Sequence, residues 1–358
     1  MNIKSTLLAA ILCACACLNS RADQLPFDVR WGYCDNSIFY MVDRNDGWAR
    51  GTNAILKTTD GGNTWHRTLL AEPRQPLGAF FYNAKTAWAV VGVEDDATNA
   101  TVFHTSNGGR SWTSAELSER SPIMGCYLSF PDKRHGWMML IPDHGMNSSP
   151  GELFRTDDAG KTWRHINTVK LFDNFDQPTD ADLERVRPYP LCGGQIVFQD
   201  TKNGWLFGSF ESTTPGYLFV TRDGGAHWQG QTLPLPTSLQ HGRMAPVGLP
   251  SFSSSDGKDG TIEANFVPDN SGLRDAAFIT YNTHDGGRTW QWGAPAQAPE
   301  KARKQSNQLA VQGKRISQLQ FVDKNNGWAV ALGNDLSGQL LRTKDGGKTW
   351  TEVRLKVQ

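Results

Sequence analysis

The stretch Thr58-Thr59-Asp60-Gly61-Gly62-Asn63-Thr64-Trp65 decides the fold, because its pattern recurs along the whole chain. Each copy reads Thr-x-Asp-x-Gly-x-x-Trp, with an asparagine for the aspartate in the second copy, and successive copies lie 47 to 65 residues apart. Recurrence at such intervals is typical of a repeat fold. The six copies place their acid or amide and their tryptophan at Asp60 and Trp65, Asn107 and Trp112, Asp158 and Trp163, Asp223 and Trp228, Asp285 and Trp290, and Asp345 and Trp350.

A second pattern, Phe-x-Asp-x-x-x-Gly-Trp, precedes the first in most repeats. β-prone runs flank both patterns, so each pattern predicts the turn of a hairpin and each repeat predicts four antiparallel strands. The fifth repeat lacks the Gly-Trp pair, and Thr261–Phe266 takes the place of its second strand. The second pattern is clear at Phe130–Trp137, Phe198–Trp205 and Phe321–Trp328, and varied at Met41–Trp48 and Phe81–Trp88.

Four-stranded sheets repeated in this way predict an all-β chain, a β-propeller in which the blades protect each other's edges. Six patterns predict six blades. A seventh, degenerate blade is the alternative, built from residues before Ser37 or from an insertion at 164–190. We expect one domain over residues 23–358, with repeats at roughly 37–72, 77–118, 123–170, 191–235, 246–295 and 314–356.

Eleven of the thirteen tryptophans occupy the two repeated positions. Their presence in nearly every repeat favours packing between blades over a platform for sugars. An aspartate in a Gly-rich turn can accept hydrogen bonds from the following backbone N–H groups, which gives the box a structural role. Calcium binding is the alternative, but one acid per turn supplies too few oxygen ligands.

Residues 1–22 have the features of a secretory signal peptide. Lys4 supplies a positive start, Leu7–Leu18 is an apolar core, and Ser20 and Ala22 are the small residues that a signal peptidase reads. Lipidation at Cys15 is the alternative. The sequence therefore predicts a periplasmic or secreted protein, with no later segment apolar enough to cross a membrane.

Three of the six cysteines lie within that signal, which leaves Cys34, Cys126 and Cys192. An odd number allows at most one internal disulfide. Cys126 and Cys192 both precede a first strand in neighbouring repeats, so they could pair, and separate buried thiols are the equal alternative. Their spacing does not suit zinc.

The 358 residues carry no formal net charge, which argues against a nucleic-acid-binding surface. A hydrophobic content of 38% and 36 glycines indicate a globular, turn-rich chain. No residues stand out as catalytic, cofactor-binding or metal-binding, so we assign none.

The six copies resemble the Asp-box, or BNR repeat, of sialidases, sortilin ectodomains, some xyloglucan hydrolases and photosystem II assembly-factor propellers. The joint pattern of Phe-x-Asp-x-x-x-Gly-Trp followed by the Asp-box is most similar to the last group and its bacterial relatives, over roughly residues 37–355. This resemblance implies a propeller. It implies no activity, because in these families the box is a structural turn remote from the ligand site.

Sialidase activity would need further motifs that the chain does not match. The nearest counterpart of the Phe/Tyr-Arg-Ile-Pro start is Pro26–Trp31, and the last tyrosine, Tyr281, lies inside a repeat strand. A glycoside hydrolase with two carboxylates stays open as an alternative.

Strand direction predicts where the chain differs from blade to blade. In a four-stranded antiparallel blade the first and third turns share one face, and both repeated patterns lie there. The second turns and the links between blades share the other face, where they are irregular, and a rigid frame with variable loops is a common basis for binding. The candidate binding residues on that face are Glu94, Asp95, Asp143, His144, Glu211 and Asp335.

We therefore expect a non-catalytic scaffold that binds a protein partner or a glycan, with an assembly or stability factor for an envelope complex as the specific hypothesis. A glycan-binding protein or glycoside hydrolase is the alternative.

Overall fold

A computed structural model of the chain describes residues 26–27, 38–92, 99–118, 123–142, 151–169, 196–208, 217–231, 233–234, 242–246, 249–254, 256–268, 277–293, 315–332 and 338–358. The described strands form six antiparallel sheets in chain order, so the prediction of a six-bladed β-propeller is confirmed.

The first three blades follow the predicted hairpins closely. In each one, strands pair in the order of the sequence. Their strands are β1 (Phe39–Met41), β2 (Gly47–Arg50), β3 (Ala54–Thr58) and β4 (Thr64–Leu70); β5 (Gln75–Phe81), β6 (Ala87–Gly92), β7 (Asn99–Thr105) and β8 (Thr113–Ser118); and β9 (Ile123–Ser129), β10 (Gly136–Pro142), β11 (Gly151–Thr156) and β12 (Arg164–Val169).

The last three blades repeat the arrangement with one interruption. In blade 5 the first strand is split into β17 and β18, and both pieces pair with β19. The strands are β13 (Ile196–Phe198), β14 (Gly204–Gly208), β15 (Tyr217–Thr221) and β16 (Gln229–Gln231); β17 (Gly242–Pro246), β18 (Ser251–Phe252), β19 (Gly260–Pro268), β20 (Ala277–Thr283) and β21 (Gln291–Trp292); and β22 (Arg315–Phe321), β23 (Gly327–Leu332), β24 (Gly338–Thr343) and β25 (Thr351–Glu352).

The interruption in blade 5 explains its departure from the sequence pattern. β19 takes the place of the second strand, as predicted, and starts at Gly260 like its counterparts. Phe252 lies eight residues before Gly260, whereas Phe130 lies six before Gly136, so the turn of blade 5 is two residues longer. Thr261 stands where the other repeats place tryptophan.

The hydrophobic core is divided among the boundaries between blades. One cluster joins Trp65 and Phe39 of blade 1 to Trp328 of blade 6, and others join blades 1 and 2, 2 and 3, 3 and 4, and 4 and 5. Trp48, Trp88, Trp137, Trp205 and Trp328 are all 0% exposed. Packing between blades is therefore the role of these tryptophans, as the sequence predicted.

Aromatic stacking explains why the second pattern joins Phe to Gly-Trp. Phe130 of blade 3 stacks on Trp88 of blade 2 with ring centroids 3.7 Å apart, and Phe198 of blade 4 stacks on Trp137 of blade 3 at 3.8 Å. A Cβ atom on Gly136 would fall on the Phe130 ring of its own blade. The glycine therefore leaves room for the phenylalanine that joins two blades.

Two devices close the ring between blades 6 and 1. A last strand, β26 (Lys356–Val357), pairs in parallel with β4 at the outer edge of blade 1. On the first strands, the side chain of Gln318 donates to the Phe39 carbonyl at 2.7 Å and accepts from the Phe39 N–H at 3.1 Å, and Gln320 does the same with Met41. The side-chain amides of Gln318 and Gln320 thus pair with the backbone N–H and C=O groups of Phe39 and Met41, as a neighbouring strand would.

Several predictions fall on residues outside the described ranges. The signal peptide at 1–22, Cys15, Cys34 and Cys192 lie there, while Cys126 lies inside β9 and not before it as predicted, and is buried. The disulfide and the export signal stay predictions. Of the predicted insertion, 164–169 belongs to β12, and 170–190 lies outside the described residues.

Candidate functional site

All six Asp-box turns are built by the same hydrogen bonds. In blade 1, the Thr58 hydroxyl donates to Asp60 Oδ1 at 2.9 Å and accepts from the Gly62 N–H at 3.0 Å. Asp60 Oδ1 also accepts from the Thr64 N–H at 2.8 Å. The box glycines have positive φ angles, 73° at Gly61 and 92° at Gly62, which side chains rarely adopt. Thr, Asp and Gly are thus each required by the geometry of the turn.

These bonds hold the box aspartates in their charged form. At Asp345 the N–H and hydroxyl of Thr349 lower the pKa of the carboxyl to about 2. At Asp158 burial alone would raise the pKa, but bonds from Thr162 and Thr156 outweigh it and lower the pKa. A carboxylate engaged in this way stabilises its turn, which supports the structural interpretation over calcium binding.

Each box is tied to the first turn of its own blade. In blade 1 the Gly61 N–H donates to the Asn45 carbonyl at 2.9 Å, and the matching bond recurs in every blade. In blade 6, for example, the Gly346 N–H donates to the Asn325 carbonyl at 2.8 Å. The first and third turns therefore share one face, as strand direction predicted. We call this the box face.

Tryptophans connect the box face from blade to blade. Trp137 Nε1 of blade 3 donates to the Gly224 carbonyl of blade 4 at 2.8 Å, and Trp328 Nε1 of blade 6 donates to the Gly61 carbonyl of blade 1 at 3.0 Å. A lysine or arginine side chain also lies over the face of several of these rings. The Arg155 guanidinium carbon, for example, is 5.0 Å from the centroid of the Trp137 ring. Tryptophans buried and bonded in this way offer no stacking platform for a sugar.

Blade 2 is unlike the other five blades because neither its first turn nor its box contains an acid. Blades 1, 3, 4 and 6 have an aspartate at both acceptor positions, and blade 5 has Ser254, with Asp256 in a longer first turn, and Asp285 in its box, whereas blade 2 has Asn83 and Asn107. The amides keep the same acceptor geometry. Asn83 Oδ1 accepts from the N–H groups of Lys85 and Thr86, both at 2.8 Å, and Asn107 Oδ1 accepts from the Thr105 hydroxyl at 3.0 Å. Blade 2 therefore forms both turns without the negative charge of a carboxylate in either.

An open cleft of about 430 Å³ lies on the box face at blade 2. It crosses three blades, because its lining comes from the first turns of blades 1, 2 and 3 and from the box of blade 2. The cleft residues are Val42, Asn83, Ala84, Lys85, Thr86, His104, Ser106 and Lys133. A pocket of this size can hold a few side chains of a ligand.

The two lysines that line the cleft, Lys85 and Lys133, are its cations. Lys85 and Lys133 are exposed, and Arg110 and Lys161 belong to the boxes of blades 2 and 3. Burial lowers the pKa of His104, and the nearby Lys161 lowers it further, so this imidazole is neutral at pH 7. Its ring stacks on Trp88, with centroids 4.9 Å apart. The positive charge therefore comes from the lysines, while His104 forms part of the wall.

The candidate residues predicted from sequence lie outside the described residues. Glu94, Asp95, Asp143, His144, Glu211 and Asp335 all fall in second turns that the structure does not describe. The hypothesis of a binding face made by those loops stays a prediction. In blade 1, where the second turn is described, Arg50 is 2% exposed and donates from Nη1 to the Leu77 carbonyl of blade 2 at 3.2 Å.

Lys85, Lys133 and His104 were not predicted as a site. A signal was present in the sequence, since one repeat has an amide, Asn83 or Asn107, at each of the two positions where acids are usual. Considered one at a time they are minor variants of a pattern. Considered together, they remove both acids of one blade.

The described ranges contain no group of three or more His, Cys, Asp or Glu side chains placed to hold a metal ion. No helix in that part of the chain is both long and apolar enough to cross a bilayer.

Comparison with known proteins agrees with the resemblance of the repeats. Residues 23–171, less than half of the chain, match the family described as Photosynthesis system II assembly factor YCF48. The photosystem II stability/assembly factor HCF136, chloroplastic, of Oryza sativa subsp. japonica is 23% identical over 325 residues, which cover 87% of this chain and 68% of the rice protein.

Solved structures are similar at lower identity. The structure of YCF48 bound to D1 peptide has a TM-score of 0.44 and 18% identity, with coverage of 92% of this chain and 83% of the other. The Aleuria aurantia lectin in complex with alpha-methyl-L-fucoside has a TM-score of 0.45 and 11% identity, with coverage of 88% and 92%.

Proposed function

This chain is an Asp-box β-propeller similar to the photosystem II assembly and stability factors. We propose that it is a non-catalytic assembly or stability factor. It binds a protein subunit and holds it while a larger complex forms. The observation that carries this proposal is the match of residues 23–171 to an assembly-factor family, together with 23% identity to the rice factor over most of the chain.

The fold suits such a role. Hydrophobic clusters with buried tryptophans join blades 1 to 5 in series and blade 6 to blade 1, and β26, Gln318 and Gln320 close the ring, which gives a rigid frame. Rigid frames bind partners with little loss of their own conformational entropy. On the box face the structural carboxylates are engaged by the turns, as at Asp60 and Asp158, which is unlike the free pair of acids that a glycoside hydrolase needs.

We also propose that the protein works outside the cytoplasm. Residues 1–22 support this through Lys4, the apolar run Leu7–Leu18 and the Ser20 and Ala22 pair. The client is then a complex of the cell envelope or of a comparable exported location. A lipid anchor at Cys15 is the alternative form of the same proposal.

The test is deletion of the gene in its own host, followed by separation of envelope complexes on native gels. We expect one multi-subunit complex to accumulate less, and the wild-type gene to restore it. In pulse-labelled cells, the tagged chain should co-purify with newly made subunits of that complex and be absent from the finished form. Unchanged complexes in the deletion strain would contradict the proposal.

A parallel assay separates the scaffold from the alternative enzyme. The purified chain is incubated with a panel of fluorogenic glycosides, and a scaffold should give no turnover above buffer. Turnover that is lost in an Asp143→Ala, Glu211→Ala variant would favour a glycoside hydrolase on the second-turn face.

A further inference from the structure

The cleft at blade 2 is the part of the box face that the structural role of the turns does not explain. In blades 1, 3, 4 and 6 an aspartate fills both acceptor positions, and in blade 2 the Oδ1 atoms of Asn83 and Asn107 accept the same bonds at similar distances. Because an amide oxygen replaces a carboxylate oxygen, two differences remain: the lost charges, and one bond that reverses its direction, since Asn107 Nδ2 donates to Ser111 Oγ at 2.7 Å. Both negative charges are missing where the box face has its cleft.

Comparison of matching lysines shows the effect of the missing acids. Lys258 of blade 5 occupies the same turn position as Lys85, two residues before the second strand, and its ammonium pairs at 3.2 Å with Asp256, which lies in the longer part of that turn. The first turn of blade 2 is two residues shorter and contains no acid, so Lys85 has no carboxylate within its own turn. Lys133 reaches the same cleft from blade 3. Two lysines thus line one opening, to which the first turn and the box of blade 2 contribute no acid.

We propose that this cleft binds a short acidic segment of the protein partner, with Asp or Glu carboxylates held between Lys85 and Lys133. This inference rests on the proposed function.

The lining of the cleft suits the side chains of an acidic peptide. Its two lysines act as point charges, each able to pair with one carboxylate. Val42 and Ala84 add apolar wall, which suits a peptide side chain.

The neighbouring charges limit the length of the ligand. Asp46 of blade 1 lies 3.9 Å from Lys57, and Asp132 of blade 3 lies beside Lys133 in the sequence. These acids flank the cleft on both sides, so a long polyanion such as a nucleic acid would meet repulsion there. A short acidic segment fits between them.

The decisive variant restores the missing charges. Asn83→Asp with Asn107→Asp recreates the acids found at these positions in blades 1, 3, 4 and 6, so both turns have a precedent within the chain. The Asp158 turn, where Thr162 donates to Oδ2 at 2.6 Å, shows how Ser111 would bond the new carboxylate. Thermal denaturation of this variant should give a melting temperature no lower than that of wild type, which keeps loss of binding separate from loss of fold.

The probe is a fluorescent hexaglutamate peptide, amidated at its C-terminus, followed by anisotropy in 50 mM salt. We expect wild type to bind it, and the double aspartate variant to bind about tenfold or more weakly. Lys85→Ala should weaken binding about threefold, whereas the matched control Lys202→Ala, at the same turn position of blade 4, should leave it unchanged. A salt concentration of 300 mM should reduce the difference between wild type and the double variant.

Equal binding of hexaglutamate by wild type and the double aspartate variant would overturn the proposal. So would equal binding of a hexaglutamine peptide, or preferential binding of inorganic phosphate or of a six-residue oligothymidylate. Co-purification of a newly made subunit with both wild type and the double variant would leave the assembly role intact and overturn the cleft. Hexaglutamate binding that depends on Asn83 and Asn107, without any change in envelope complexes on gene deletion, would support the cleft and contradict the assembly role.

Discussion

Blades 2 and 3 are neighbours that build the same box with different charge. In blade 3, Asp158 Oδ1 accepts from the Thr156 hydroxyl at 2.8 Å and from the Thr162 N–H at 2.9 Å. In blade 2, Asn107 Oδ1 accepts from the equivalent Thr105 and Ser111 groups at 3.0 and 3.1 Å. The comparison teaches that the acceptor oxygen shapes the turn, and that the charge on it can change independently. A face that looks uniform in its backbone can therefore carry a local binding site.

The largest effect is expected at the boundary that both blades share. Gly136→Ala places a methyl group on the ring of Phe130, which stacks on Trp88 of blade 2 with an interplanar angle of 11°. Forcing an extra methyl into such packing costs about 2–3 kcal/mol of unfolding free energy. Denaturant unfolding should show this as a lower midpoint.

Gly125→Ala is the matched control for that experiment. It lies on β9 of the same blade, and a Cβ atom there would meet no heavy atom within 4 Å. We expect a change within about 0.5 kcal/mol. Equal destabilisation by the two variants would contradict the role given to the Phe130 stack.

A smaller effect tests the acceptor itself. Asp158→Ala and Asn107→Ala each remove the oxygen that orders a box, so each should cost about 1–2 kcal/mol of unfolding free energy. Asp158→Asn keeps the oxygen and should cost clearly less than either. If Asp158→Asn is as damaging as Asp158→Ala, the charge is part of the turn, and the comparison of the two blades fails.

The pH dependence of stability should differ between the blades in a defined direction. Burial raises the pKa of Asp158, but bonds from Thr162 and Thr156 outweigh it, so the folded pKa lies below the ordinary 3.8. A lowered pKa stabilises the fold above that value, and the contribution is lost as the pH falls through the folded pKa. The box of blade 2 has no such dependence because Asn107 does not titrate.

Thermal melts at pH 6 and pH 2 check this expectation. The difference in melting temperature between the two conditions should grow in Asn107→Asp and shrink in Asp158→Asn. No change in either variant would mean that the box aspartates titrate alike in the folded and unfolded states.

The smallest effect concerns blade 2 at neutral pH. Asn107→Asp adds a carboxylate to a turn whose charged neighbours include Arg110 and Lys85, so it should stabilise the fold by less than about 1 kcal/mol. The gain should vanish in 0.5 M salt because the pairs are exposed. A loss of stability in low salt would show that the amide is needed for the turn, which would remove the electrostatic account of blade 2.

The sequence alone located the turns, but it revealed only part of the charge pattern on the box face. Asn107 stood out as the exception among the boxes, but Asn83 was seen only as a variant of a looser pattern. Their meaning depends on Lys133, which belongs to the next repeat and reaches the cleft only after blades 2 and 3 pack together. The second-turn candidates such as Asp143 stay predictions.

The sequence by itself determined the repeat, the four strands of each blade and the shared face of the two turns, and it favoured six blades over seven. These follow from local chemistry, since Thr, Asp, Gly and Trp each meet a requirement of one turn or one packing position. The tertiary structure alone decided how the ring closes and where three turns meet to form a cleft. Gln318 finds Phe39 across 279 residues, and β26 pairs in parallel with β4, contacts for which no local pattern exists. Such contacts depend on how many blades complete the circle, which is a property of the whole packed chain.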